Sequence, residues 1–131
     1  MRIKNRDVDA MIQALKPFLD NRDMIGYAAA RNTRRLEDSA VEYVKFRNAM
    51  VEKHGTMEVD ENGNATGKIS INPWDESFED FVKELEPYAE QEHEVEIFKI
   101  PVSEAIGTLS GHEILALDWM LEEGPAHGDP A

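Results

Sequence analysis

The strongest constraint on the fold is a stretch with nothing to interrupt it. From Met24 to His54 the chain reads MIGYAAARNTRRLEDSAVEYVKFRNAMVEKH, with no proline and no internal turn signal. Alanine, arginine, glutamate and leucine dominate, and these lose little side-chain freedom in a helix. Ala29, Leu36, Tyr43 and Met50 recur every seventh residue and share one face, widened by Ile25, Ala40 and Val51. The pattern predicts one long central helix ending at Gly55, a natural left-handed stop. A kink near Asn32-Thr33, giving two shorter helices, is the alternative. At 1.5 Å rise per residue the rod is roughly 45 Å long, against a radius of gyration of ~13 Å for a compact domain near this size. Part of it should project, or another copy should cover it. Val44 and Phe46 offer a second apolar face. The positions companion to the heptad, Ile25, Asn32, Ser39 and Arg47, are mostly polar, which disfavours an isolated two-stranded coiled coil.

The flanking segments must cover this rod. Ile3, between Arg2 and Lys4, suggests a brief strand, and Asn5 a helix cap. Val8, Met11, Ile12, Leu15 and Phe18 or Leu19 give an amphipathic helix that Pro17 ends or kinks. Asp20 to Asp23 is a polar connector, with Asp23 a cap for the long helix, so the two helices should form an antiparallel hairpin. Met57-Glu58-Val59 and Lys68-Ile69-Ser70-Ile71 alternate around the turn-rich residues 60–67, which predicts a β-hairpin. Phe78, Phe81, Val82, Leu85 and Tyr88 predict a third helix, capped by Asp75 or Ser77 and ending or kinking near Glu86, before Pro87. Glu94 to Ile100 alternates as a strand with Val95 and Ile97 inward, paired with the N-terminal strand or the hairpin. A single helical turn fits Ser103 to Ile106. Ser110 and Glu113 form a capping box for a last helix bearing Ile114, Leu115, Leu117 and Leu121, with Trp119 and Met120 broadening its apolar surface. The fold class is therefore α+β: a long central helix in an antiparallel helical hairpin, a small antiparallel sheet and two further short helices. A single domain is expected over residues 1–123, with a disordered C-terminal tail over 124–131.

Composition narrows the chemistry. With 131 residues a modest core needs no metal or disulfide staple, and the absence of cysteine removes thiolate chemistry. No run approaches the ~18 apolar residues of a membrane span, so a soluble intracellular protein is expected. The net charge of −13 is uneven: residues 1–55 hold 11 basic and 8 acidic side chains, and residues 56–131 hold 3 and 19. Such a chain can attract itself or a protein partner, and its acidity disfavours direct nucleic-acid binding.

No motif for catalysis survives inspection. Asp60, Asn62 and Asn64 match the start of a calcium loop, but Ala65 and Ile71 replace its glycine and its closing glutamate. His112-Glu113-Ile114-Leu115-Ala116 lacks the second histidine of a zinc-protease helix, and His54, His93 and His127 have no ligand spacing. Ser110 is not in a nucleophile elbow. No catalytic residue, cofactor or metal is expected. The candidate partner-binding residues are Arg31, Arg34 and Arg35, a basic patch on the long helix. Arg34 can pair with Asp38, Arg31 and Arg35 repel one another, and no aromatic lies beside them to stack bases.

In their order, these features resemble a family of short proteins of unknown function from tailed phages and prophages. The matching features are the start Met-Arg-Ile-Lys-Asn, the opening and central helices, the Asp-Glu-Asn-Gly-Asn turn, the Glu-Val-Glu-Ile strand with Ile-Pro following, and the closing Leu-Ser-x-x-Glu-Ile-Leu-Ala-Leu helix. The likeness extends to about Glu123, with Pro17 and Pro87 departing from uninterrupted helices. It implies a phage or prophage origin, in the host-cell cytoplasm or associated with virions; the charge asymmetry and the surplus length of the central helix add the expectation of a non-enzymatic accessory role through protein–protein contact, as in particle assembly. The family has no assigned active site, so no functional residue carries over. Two other functions fit the composition: an acidic DNA-mimic decoy inhibiting a host nuclease or regulator, using Glu84, Glu90, Glu92, Glu94 and Glu96, and a small carboxylate-based hydrolase.

Overall fold

A computed structural model describes residues 1–123 of the chain; the expected C-terminal tail lies outside the described residues. The fold is α+β, built on one unbroken helix, with three further helices and small two-stranded sheets. A short strand β1 (Arg2–Lys4) leads into α1 (Asn5–Leu15), which Pro17 converts to a 3-10 turn over Lys16–Phe18. The central helix α2 (Met24–His54) follows as one uninterrupted helix and completes the helical hairpin. Asp23 caps it: its carboxylate accepts from the Gly26 amide at 3.2 Å.

By compactness the chain divides into two units, and α2 contributes to both. The first holds Met1–Ile3, Asp7–Ser39 and the described residues from His93 on. Its core includes Leu15, Ile25, Leu36, Ile100, Leu117 and Met120, all fully buried. Gly26 is required here by a close approach, because a Cβ would sit 1.9 Å from the Asn21 carbonyl oxygen.

The segment expected as a strand over Glu94–Ile100 is divided. Its start belongs to β4 (Glu92–Glu94), which pairs with β1 as one of the two partners the sequence allowed. Its end is β5 (Ile100–Pro101). Residues 95–99 between them are not in a ladder. Val95 exchanges backbone hydrogen bonds with Met1, and the polar backbone of Glu96 and Phe98 is met by side chains of α2. Asn32, 0% exposed, accepts from the Phe98 amide at 2.7 Å and donates to the Phe98 carbonyl at 2.9 Å. Arg35 donates to the Glu96 carbonyl at 2.9 Å. Buried backbone groups need partners, and these side chains stand in for a neighbouring strand. Val95 still faces the core, while Ile97 is half-buried. Thus α2 is not divided at Asn32; this residue instead holds the segment around Phe98.

The last helix is shorter than its apolar pattern suggests. The capping box forms as expected, with Ser110 N donating to Glu113 Oε1 at 2.8 Å and Glu113 N to Ser110 Oγ at 3.2 Å. Yet α4 (Gly111–Ala116) stops there, a 3-10 turn takes Asp118–Met120, and Leu121 enters β6 (Leu121–Glu122). β6 runs parallel to β5, pairing Ile100 with Leu121. Leu117, Met120 and Leu121 are buried through this change of course, while Leu115 remains exposed.

The second unit comprises Lys4–Arg6 and Ala40–Glu92. It contains the end of α2, the hairpin of β2 (Thr56–Val59) and β3 (Ala65–Ser70), and α3 (Phe78–Ala89). Phe81, Leu85 and Ala89 are its buried face, and Phe46 packs on Tyr88 with ring centroids 4.1 Å apart. Pro87 does not end α3. The helix continues only two residues beyond it, and the bond Pro87 cannot donate is lost at an end that is already exposed.

Three capping expectations are corrected here. Asn5 is not a cap: its side-chain amide donates to the Tyr88 carbonyl at 2.8 Å, its backbone amide to Gln91 O at 3.0 Å, and its own Oδ1 has no hydrogen-bond partner. The Tyr88 carbonyl, at the end of α3, accepts from the Gln91 amide at 3.3 Å and takes a second, shorter bond from Asn5. Ser77 precedes α3 without a side-chain capping bond; its hydroxyl donates instead to the His54 carbonyl. Gly55 ends α2 without entering the left-handed region, which Gly63, Gly67 and Gly107 alone occupy among the described glycines. Glycine is needed at 55 because a Cβ would meet Val51 O at 2.4 Å and Ser70 O at 2.7 Å.

Candidate interaction surface

The three arginines singled out on α2 have different fates. Arg31 lies over the Tyr27 ring at 5.6 Å and the Phe98 ring at 5.4 Å, and donates to the Tyr27 hydroxyl at 3.0 Å. Tyr27 and Phe98 meet edge to face at 5.4 Å. Aromatic rings therefore do lie beside the basic patch, contrary to expectation. Tyr27 is four residues before Arg31, a spacing visible in the sequence, whereas Phe98 arrives only through the fold. Both rings are engaged by the guanidinium. Arg35 is committed to the Glu96 carbonyl. Arg34 is exposed and forms no ion pair with Asp38. Two of the three thus help hold residues 95–99, and Arg34 has no hydrogen-bond or ion-pair partner among the described residues.

The turn that resembles a calcium loop is occupied by its own backbone. Asp60 Oδ1 accepts from the amides of Asn62 and Asn64, both at 2.9 Å, and Gly63 adopts φ +81°. A carboxylate so used is an Asx turn, as a hairpin requires. Among the described residues no three His, Asp or Glu side chains gather as a metal site.

At the end of α2, His54 Nε2 lies 3.0 Å from Glu84 Oε2, and Lys53 Nζ 3.2 Å from both Glu84 oxygens. The His54 ring meets Phe81 edge-on at 6.5 Å. Serine, histidine and glutamate are close in this region, but the Ser77 hydroxyl donates to the histidine's main-chain carbonyl rather than to its ring. A nucleophile–base pair needs the second arrangement. What exists is a clasp: cationic Lys53 and the His54 ring suit the negative end of the helix, and Glu84 holds them. Glu84's carboxyl is held below the usual range first by the hydrogen bond from His54 and then by that from Lys53. Glu90 is lowered chiefly by its hydrogen bond with Lys4, with Arg6 also 2.7 Å away. A general acid at neutral pH needs the opposite shift. These pairings also count against a phosphate-like array: Glu84, Glu90 and Glu94, which lies 2.9 Å from the Met1 amino group, are each answered by a cation.

The feature that sequence reasoning underestimated is apolar. Ala40 is the last residue of α2 to be buried, and beyond it Val41 and Val44 are 45% and 44% exposed. Met57 and Val59 on β2 are 53% and 62% exposed, and Ile69 opposite Met57 is 37% exposed. Alternation in a hairpin normally buries one face; here both faces are open along β2. No family model, curated protein or solved structure matches the chain. No helix among the described residues is long and apolar enough to cross a membrane.

Proposed function

We propose that this chain is a non-enzymatic phage or prophage accessory protein that works through protein–protein contact in particle assembly. The observation that carries the reading is the apolar surface of the second unit. Val41 and Val44 on α2, and Met57 and Val59 on β2, stand open to solvent. Burying apolar side chains of this size is worth about 1.5–3 kcal/mol each when complete, so a partner that covers them gains stability from the contact. Arg34, without a partner among the described residues, adds a cation on the exposed side of α2. The order of sequence features shared with short phage proteins supplies the biological setting.

The test has two arms. Light scattering at low and high salt measures self-association, and gradient sedimentation of lysates from particle-producing cells asks whether the tagged chain travels with particles or their subassemblies. Association in either arm is expected. A chain that is monomeric at both salts and sediments alone overturns the reading.

A further inference from the structure

The tip of the β2–β3 hairpin brings together the parts of an intramolecular reaction. Of the seven asparagines in the chain only Asn62 is followed by glycine. The main-chain amide after an asparagine can attack the side-chain Cγ, and a Cβ on that next residue hinders the approach. Asn72 is followed by Pro73, which has no N–H to offer, and Asn32 is buried with both ends of its amide engaged. Asn62 is exposed, and nothing lies within 4 Å of the place a Cβ on Gly63 would take. The turn itself restrains the reaction. The Gly63 amide donates to the Asp60 carbonyl at 3.0 Å, while Asp60 Oδ1 accepts from the amides of Asn62 and Asn64, both at 2.9 Å. The Asp60 amide donates in return to the Asn64 carbonyl at 2.8 Å.

We infer that Asn62 is a site of spontaneous deamidation and that the Asp60 turn sets its pace. The Gly63 nitrogen bonds to Asn62 Cγ, the Cγ–Nδ2 bond breaks, and ammonia leaves with the proton that Gly63 gives up. Water then opens the cyclic imide at one of its two carbonyls and returns a proton to the Gly63 nitrogen. Attack at Cγ gives aspartate. Attack at the main-chain carbonyl gives isoaspartate, whose chain runs through Cβ and Cγ. While the Gly63 amide is held by Asp60, its nitrogen is not free to turn toward Cγ, so the reaction draws on molecules whose turn has opened. Such openings are frequent where few buried contacts oppose them, and residues 56–69 are exposed throughout. Either product adds a carboxylate beside Asp60 and Glu61. Isoaspartate also lengthens the main chain by one carbon between Asp60 and Asn64, which pulls apart the bonds joining these two residues. The hairpin then frays irreversibly from its tip.

Ageing the full chain in mildly alkaline buffer tests this. Peptide mapping by mass spectrometry locates each exchange of NH for O, and methylation by an isoaspartate-specific methyltransferase counts the isomer. Deamidation is expected at Asn62 ahead of the other six asparagines. Asp60→Ala removes the acceptor for two amides and should speed it roughly tenfold, with hydrogen exchange at the Gly63 amide quickened in the same ratio. In concentrated urea the parent and Asp60→Ala should react alike, since the turn is absent from both. Gly63→Ala loosens the turn yet should slow the reaction, because the added Cβ obstructs the attack. Both positions are exposed, and unchanged circular dichroism confirms the fold. If another asparagine reacts first, or Gly63→Ala ages as fast as the parent, Asn62 is not the site. If Asp60→Ala ages no faster than the parent under native conditions, or stays faster in urea, the turn does not set the pace.

Discussion

The buried side chain of Asn32 exchanges two hydrogen bonds with the backbone of Phe98. Replacing it with alanine would leave an amide and a carbonyl unmet, each costing about 1–3 kcal/mol when buried. Asn32→Ala is therefore expected to destabilise the chain by roughly 2–4 kcal/mol, measured by urea unfolding, with faster hydrogen exchange at Phe98. Arg35→Ala should cost less, because the Glu96 carbonyl it meets is exposed and water can replace it. The acidic residues give a pH prediction. Glu84 and Glu90 have proton affinities lowered in the folded chain, below the ordinary value of 4.5. Their pairings then contribute stability above 4.5, which is lost as pH falls through the folded-state value. Glu84→Gln should be less stable than the parent at neutral pH, and the gap should close in acid. Both pairs are substantially exposed, so the difference is small. A gap independent of pH would show that the carboxylate's charge is not what matters there.

Elements governed by local rules were readable from the sequence, and those governed by distant partners were not. The bounds of α2, the end of α1 at Pro17, the Asx-turn hairpin and the Ser110 capping box all follow from residues within a few positions of one another. The break at residues 95–99 depends on Asn32 and Arg35, more than sixty positions away. Asn5 looked like a cap because its local sequence permits one, but the end of α3 claims its amide. The final apolar run satisfied a helical period, yet β5 drew Leu121 into a parallel pair, which no local pattern encodes. The candidate arginines were legible as a basic patch, but two of the three proved to be tied to the chain itself. The hairpin illustrates the local case by prediction. Asp60→Ala removes the acceptor for two amides, and Gly63→Ala forces a Cβ into φ +81° where no neighbouring atom is within 4 Å, so its cost of about 1–2 kcal/mol is conformational. Because the hairpin is exposed, each change should speed exchange at Asn62 and Asn64 while leaving the global unfolding midpoint almost unmoved. A large drop in that midpoint would mean the hairpin is integral to the core.

At the scale of the whole molecule, charge opposes the contacts that the exposed apolar surface favours. Each copy carries a net charge of −13, with the excess acid concentrated beyond residue 55. Two such copies repel over about 30 Å at 0.01 M salt but only about 8 Å at 0.15 M. The attractions available to them act at close range: apolar contact and backbone pairing. Salt therefore screens long-range repulsion more than it weakens contact. Self-association should accordingly strengthen between 0.01 M and 0.3 M sodium chloride, the reverse of what a complex held by opposite surface charges would do. The thermal midpoint of the dilute chain should also rise with salt, since self-repulsion destabilises the compact state while the exposed ion pairs to Glu84 and Glu90 contribute little. Light scattering and thermal unfolding over the same salt series separate the two effects. Association that weakens with salt would place the basic residues before position 55, Arg34 foremost, at the contact instead of the apolar hairpin.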